Sequence, residues 1–182
     1  MAVQMQAAAM GWQMYDVATR GHGLSMAEGA FMLGLVGLAQ FLPLLVLSLF
    51  GGQAADRYNR RLILTICILA KAAIMLGLAL AANAPPDVVM PVIFLAAISA
   101  GMINAFLPPA ASALLPMLLP REQLPQGIAW SSLAFQSSLI VGPAVGGLLY
   151  GVGAPVPYAW AFALLVLSGV LMFTLKPPAQ IP

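Results

Sequence analysis

Long apolar runs, separated by short connections, constrain this chain more than any other feature. Uninterrupted apolar stretches cover residues 1–17, 31–50, 62–84, 88–107, 128–150 and 158–175. Each is near the length of about 20 residues that a helix needs to cross a roughly 30 Å hydrocarbon layer. A helix satisfies its own backbone hydrogen bonds where no water is at hand, so helices are the expected element throughout. The expectation is an all-α membrane protein with six transmembrane helices. Composition agrees: 62% of residues are hydrophobic, 7% are charged, and the mean hydropathy is +0.99. So few charges cannot coat a water-soluble surface. The net charge of +2 therefore carries no message about nucleic acid, and no nucleic-acid partner is expected; membrane lipid is.

The connections support this segmentation. Residues 83–87, 119–125 and 151–157 are dense in proline, glycine and polar residues, as turns at a membrane surface would be. The first run starts at Met1 without a basic lead-in or a small-residue cleavage site, so it is expected to be a shortened first span and not a removable signal peptide. Residues 1–176 form one bundle on this reading, with 177–182 a Pro-rich tail or the start of a linker. The lone cysteine, Cys67, falls inside an apolar run and can form no internal disulfide.

Orientation follows from counting basic residues by side. Arg57, Arg60 and Arg61 follow helix 2, Arg121 follows helix 4 and Lys176 follows helix 6, which places five of the seven basic residues on one face. That face is expected to be cytoplasmic, with both termini inside. Asp16, Arg20, His22, Glu28 and Asp87 fall on the opposite face, and Lys71 lies within helix 3.

Between helices 2 and 3 stands Gly52-Gln53-Ala54-Ala55-Asp56-Arg57-Tyr58-Asn59-Arg60-Arg61. A basic stop-transfer loop would explain the arginines, but not a glycine and an aspartate at fixed spacing. Gly52, Asp56, Arg57, Arg60 and Arg61 resemble the loop motif Gly-x-x-x-Asp-Arg-x-Gly-Arg-Arg of the major facilitator superfamily. Asn59 stands where that family has glycine, a mild departure because asparagine tolerates a left-handed turn better than other residues with a side chain. A second match lies in helix 5. Ser138, Gly142, Pro143, Gly146 and Gly147 resemble the antiporter motif Gly-x-x-x-Gly-Pro-x-x-Gly-Gly of exporting members, with Ser138 in place of the first glycine. Ser138, Gly142 and Gly146 fall four apart on one helix face, where a neighbouring helix can approach closely, and Pro143 removes an internal hydrogen bond. Ordinary small-residue packing is the alternative for the glycines taken alone. Residues 11–16 and 34–43 look like the branch of the family that includes the enterobactin exporter and related secretion carriers.

The resemblance implies the amino-terminal six-helix half of a twelve-helix fold, itself a 3+3 inverted repeat in which Pro43 and Pro143 interrupt corresponding helices. It also implies a partner, the missing carboxy-terminal six-helix bundle, because the substrate path of this fold runs between two bundles. A fragment of a carrier in a bacterial inner membrane is the expected identity. The function implied is export of small amphiphilic molecules such as siderophores or drugs by alternating access, with proton coupling. Asp56 would contact a helix end of the other bundle, while Arg57, Arg60 and Arg61 would bind carboxylates or anionic headgroups and latch the outward-facing state.

Polar residues inside the apolar runs are the candidates for a substrate cavity, because exposing them to lipid is costly. These are Gln6 and Gln13, seven apart on helix 1, with Gln40, Asn104 and Gln136. For each, an interhelical hydrogen bond that only holds the bundle together is the competing reading. Lys71, deep in helix 3, is a functional candidate as an intramembrane charge, able to attract an anion or to titrate. Against this, the family places helix 3 at the periphery, and a lysine stem can snorkel to the headgroups. Asp16 is the best candidate for a proton site. No nucleophile, base and orienting group converge, and neither metal-ligand spacing nor a phosphate-cradling loop is present. An enzyme is not expected, nor is a cofactor or metal. The alternative from another class is a non-transporting six-helix assembly or regulatory subunit.

Overall fold

The computed structural model describes residues 1–174, apart from the side chains of residues 55, 56, 115, 117, 118, 121, 173 and 174. Lys176 and the tail at 177–182 lie outside the described residues. Within them the chain is all-helical: α1 (Ala2–Asp16), a π-helical turn (Val17–Gly21), α2 (Met26–Arg57), α3 (Arg60–Ala81), α4 (Pro86–Leu118), a short 3-10 turn (Arg121–Gln123), α5 (Leu124–Val152) and α6 (Val156–Thr174). Four stretches are long and apolar enough to cross a membrane: Met26–Ala54, Arg60–Ala81, Pro86–Leu114 and Leu124–Val152. The corresponding apolar stretch of α6, Val156–Met172, is shorter, and α1 has 15 residues.

Local chemistry sets the helix ends. Ser25 caps α2 in a reciprocal box: its hydroxyl accepts from the Glu28 amide, and its own amide donates to the Glu28 carboxylate at 2.9 Å. That cap starts α2 at Met26, ahead of the expected 31. Pro86 and Pro125 sit in the first turns of α4 and α5, where a missing N–H costs nothing. α4 runs on to Leu118, well past the expected end at 107, through Pro108 and Pro109. Each proline leaves the carbonyl four residues back without its helical donor, so the Ala105 carbonyl is free to face another helix.

The connection at 52–61 is tighter than its sequence suggests. Gly52 to Arg57 form the last turns of α2, and α3 begins at Arg60, so only Tyr58 and Asn59 lie between helices. Asn59 does not take the left-handed turn expected of it. Its φ is −62° and ψ 110°, because its side-chain oxygen accepts from the Arg61 amide at 3.0 Å and caps α3, a role that requires extended backbone.

Packing follows a 3+3 pattern. α2 packs most extensively on α4, α5 on α1, and α3 on both α4 and α6, while α6 also touches α1. Exchanging α1–α3 for α4–α6 turns the α2–α4 contact into α5–α1, α3–α4 into α6–α1, and leaves α3–α6 in place, as an inverted repeat requires. The two main crossings are close. A methyl group on Gly51 would collide with the Ala105 carbonyl, and one on Gly101 with the Gln40 carbonyl; one on Gly142 would lie 2.5 Å from Cβ of Gln4. The core, which includes Met14, Met75, Ile93 and Tyr158, joins α1, α3, α4 and α6. By contrast, α2 and α5 leave most of their apolar surface exposed, including Phe41, Leu45, Phe135 and Leu148.

Candidate functional site

Gln40, Lys71 and Asn104 each lie near the middle of their helices, α2, α3 and α4. The close α2–α4 crossing brings Gln40 and Asn104 to one level, and α1 lays Gln6 alongside. Together they line a chamber of about 180 Å³, completed by Val3, Gln4, Ala7, Met10 and Ala100. Gln6 and Met10 are buried, Gln40 and Asn104 half-buried, and Ala7 is exposed, so the chamber reaches the surface beside Ala7. Its polar groups are arranged locally: Gln6 Nε2 lies 3.2 Å from Met10 Sδ, one turn along α1.

Lys71 is 1% exposed, and its Nζ donates to Asn104 Oδ1 at 2.8 Å. The side chain does not snorkel. α3 packs on α4 and α6, yet this one long side chain crosses from it to the shared centre of the bundle. Burying an ammonium is costly unless donors and charge are answered locally, and an amide oxygen answers one of three N–H groups. A peripheral helix thus supplies the one cation that lines this chamber among the described residues.

The remaining cavity candidates lie elsewhere. Gln13 is 2% exposed but sits outside the chamber lining; Tyr158 Oη donates to its Oε1 at 2.6 Å, and its Nε2 donates to the Ala82 carbonyl at 3.3 Å. It fastens α1 to α6 and to the end of α3. Gln136 is exposed on α5. Asp16 lies at the opposite end from the arginines, 3.3 Å from Arg20, and accepts a hydrogen bond from Tyr150 Oη at 3.2 Å. At the same end His22 lies 3.1 Å from Asp87, tying the α1–α2 connection to the start of α4. Gln4 lines the chamber although the sequence does not single it out; the polar-in-apolar criterion that finds Gln6 applies to it equally.

At the arginine end, Arg60 Nη1 donates to the Ala113 carbonyl at 3.2 Å and Arg61 Nη2 to the Met172 carbonyl at 2.8 Å. These bonds hold the start of α3 to the C-terminal parts of α4 and α6, where a cation complements the negative end of a helix dipole. Arg57 is exposed, as is Gly52, around which a methyl group would meet nothing within 4 Å. The Asp56 side chain lies outside the described residues. In the α5 motif, Gly142 and Gly146 are buried against α1, where a methyl on Gly146 would lie 2.9 Å from the Met5 carbonyl oxygen. Gly147 faces Trp12, with Nε1 4.0 Å from the position of an added methyl. Pro143 is exposed within a continuous helix, and Ser138 is half-buried, its hydroxyl donating to the Ala134 carbonyl at 2.7 Å. Among the described residues, no three His, Cys, Asp or Glu side chains gather as a metal site.

The family model described as Major Facilitator Superfamily matches residues 1–182. Macrolide efflux protein A of Streptococcus pyogenes is 34% identical over 126 residues, which cover 68% of this chain and 30% of that protein. Quinolone resistance protein NorA of Staphylococcus aureus is 27% identical over 143 residues, 79% of this chain and 35% of that protein. The matched regions span about a third of the length of these relatives.

Proposed function

The chain belongs to the major facilitator superfamily as an integral membrane protein with the six-helix half of that fold, and on this premise we propose that it is the amino-terminal bundle of a secondary active drug exporter. The observation that carries the reading is the chamber itself. Gln6, Gln40, Lys71 and Asn104 come from four helices and four distant stretches of sequence to one polar site at mid-depth, where carriers of alternating access hold substrate. Two relatives whose names state macrolide efflux and quinolone resistance support drugs as the cargo class.

The working unit pairs this bundle with a second one, because one bundle provides one wall of a path and the chamber opens at its surface. The arginine end faces the cytoplasm of a bacterial inner membrane, with both termini inside. There Asp56 and Arg57 meet the second bundle, while Arg60 and Arg61 keep the ends of α3, α4 and α6 together so that the bundle rocks as one body. Asp56→Asn would then abolish transport while leaving substrate binding nearly intact. Export is driven by protons, with no chemical change to the cargo. A siderophore as cargo is a second reading, favoured by the buried ammonium of Lys71, which suits an anionic catecholate.

Expression of the complete reading frame that encodes this chain, in cells stripped of their own exporters, tests the proposal. Accumulation of a quinolone should fall several-fold, and a protonophore should restore it. Equal accumulation with and without the protein would remove the export reading.

A further inference from the structure

Lys71 puts an ammonium group at the centre of a bundle whose other chamber-lining side chains are uncharged. Among the described residues no acidic side chain lines that chamber. One N–H of the ammonium goes to Asn104 Oδ1 at 2.8 Å, which leaves two donors of a charged group at the chamber wall. Gln4, Gln6 and Gln40 add amide groups on the other walls. A buried cation surrounded by amides and without a protein counter-charge is unfavourable by itself, and the missing half of the interaction is an anion.

Size limits what that anion can be. Drug-sized ligands occupy pockets of about 300–1,000 Å³, and this chamber holds about 180 Å³. It takes one functional group of a larger molecule. The body of that molecule would lie outside, past the exposed Ala7, against the surface left for the second bundle.

We propose that the chamber of Lys71, Asn104, Gln6 and Gln40 is a seat for an acidic group, a carboxylate or phenolate, on the exported molecule. The cargo is then an amphiphilic acid or zwitterion and not a simple lipophilic cation. This deepens the export reading and rests on it. Lys71 holds the anion by a charge-assisted hydrogen bond, Asn104 keeps the ammonium aimed into the chamber, and the glutamines complete the anion's hydrogen bonds. A purely structural Lys71, present only to clamp α3 on α4, would make the same bond to Asn104 but would give the site no preference for charge.

A matched probe series separates the two. Binding of 2-naphthoate, methyl 2-naphthoate and 2-naphthylmethylammonium is measured by titration calorimetry on the complete purified carrier in lipid nanodiscs. The wild type should bind the carboxylate at least about tenfold more tightly than the ester or the amine, the equivalent of one charge-assisted bond. Lys71→Gln should erase that preference and Lys71→Arg should keep most of it. Asn104→Asp retains the lysine but supplies a counter-charge from within; it should also erase the preference, and it serves if Lys71→Gln does not fold. Equal affinity for all three probes, no saturable binding of 2-naphthoate, or an undiminished preference in Asn104→Asp would overturn the proposal. Because binding is read without transport, the outcomes stay separable. A carboxylate preference in a protein that exports nothing defeats the export reading alone, and export indifferent to Lys71 and to cargo charge defeats the anion seat alone.

Discussion

The α2–α4 and α1–α5 crossings are equivalent under the inverted repeat, yet they achieve close approach in different ways. At α2–α4 each helix contributes one glycine to the other's backbone: Gly51 of α2 faces the Ala105 carbonyl, and Gly101 of α4 faces the Gln40 carbonyl. At α1–α5 both glycines belong to α5, and α1 brings Gln4 and Met5 to them. Both crossings bring backbone to backbone, but the reciprocal arrangement allows the closer approach, where Cα–H groups can meet carbonyls, one of them freed by Pro109. It also positions the site. Gly101 lies between the chamber residues Ala100 and Asn104, and the carbonyl beneath it belongs to Gln40. The α2–α4 crossing therefore fixes the chamber's geometry, whereas α1–α5 fixes how α1 leans over it.

Gly101→Val tests that difference most severely. A side chain there has no flexible neighbour to displace, only the backbone of α2, and overpacking of this kind costs about 3 kcal/mol. The melting temperature of the purified protein should fall by the largest amount of any single change at these crossings, and saturable binding at the chamber should be lost with it. A variant with a wild-type melting curve would show that the crossing is looser than it looks. Gly146→Ala should cost less, about 1–2 kcal/mol, because a methyl 2.9 Å from the Met5 carbonyl oxygen can be relieved by a small shift of α1. Melting curves of the two variants side by side rank the crossings, and an order with Gly146→Ala the more damaging would reverse the comparison.

The same contrast explains what could be read from the sequence. Two glycines four apart on one helix are a visible pattern, so Gly142 and Gly146 stood out; Gly51 and Gly101, one per helix and fifty residues apart, share no spacing that a linear reading can detect. All-helical character and the number of helices follow from runs of apolar residues, a local property. Side-chain direction is not local. Gln6 and Gln13 do share a face of α1, as their spacing implies, but seven residues are about 10 Å along a helix. Gln13 therefore reaches the level of Ala82 and Tyr158, beyond the chamber. Gln136 lies about 120° around α5 from Gly142, away from the buried line. Lys71 was legible as an anomaly. That its head would turn inward to Asn104 depended on the packing of α3 against α4, which no single segment encodes.

Gly52 gives the smallest expected effect and the sharpest separation between packing and gating. It belongs to the same helix as Gly51, but a methyl there meets nothing within 4 Å, so Gly52→Ala has no clash to relieve. In a helix interior the exchange reduces the freedom of the unfolded chain and should stabilise by about 0.5–1 kcal/mol. A raised or unchanged melting temperature is the expected result, in contrast to the fall at Gly101. Glycine at this position would then answer to something outside the bundle, since nothing within it needs the space. If the complete carrier with Gly52→Ala melts normally but exports poorly, the open surface at Gly52 is where the second bundle closes, and the glycine belongs to the moving junction. If it both melts and exports normally, the loop motif acts through its charges alone.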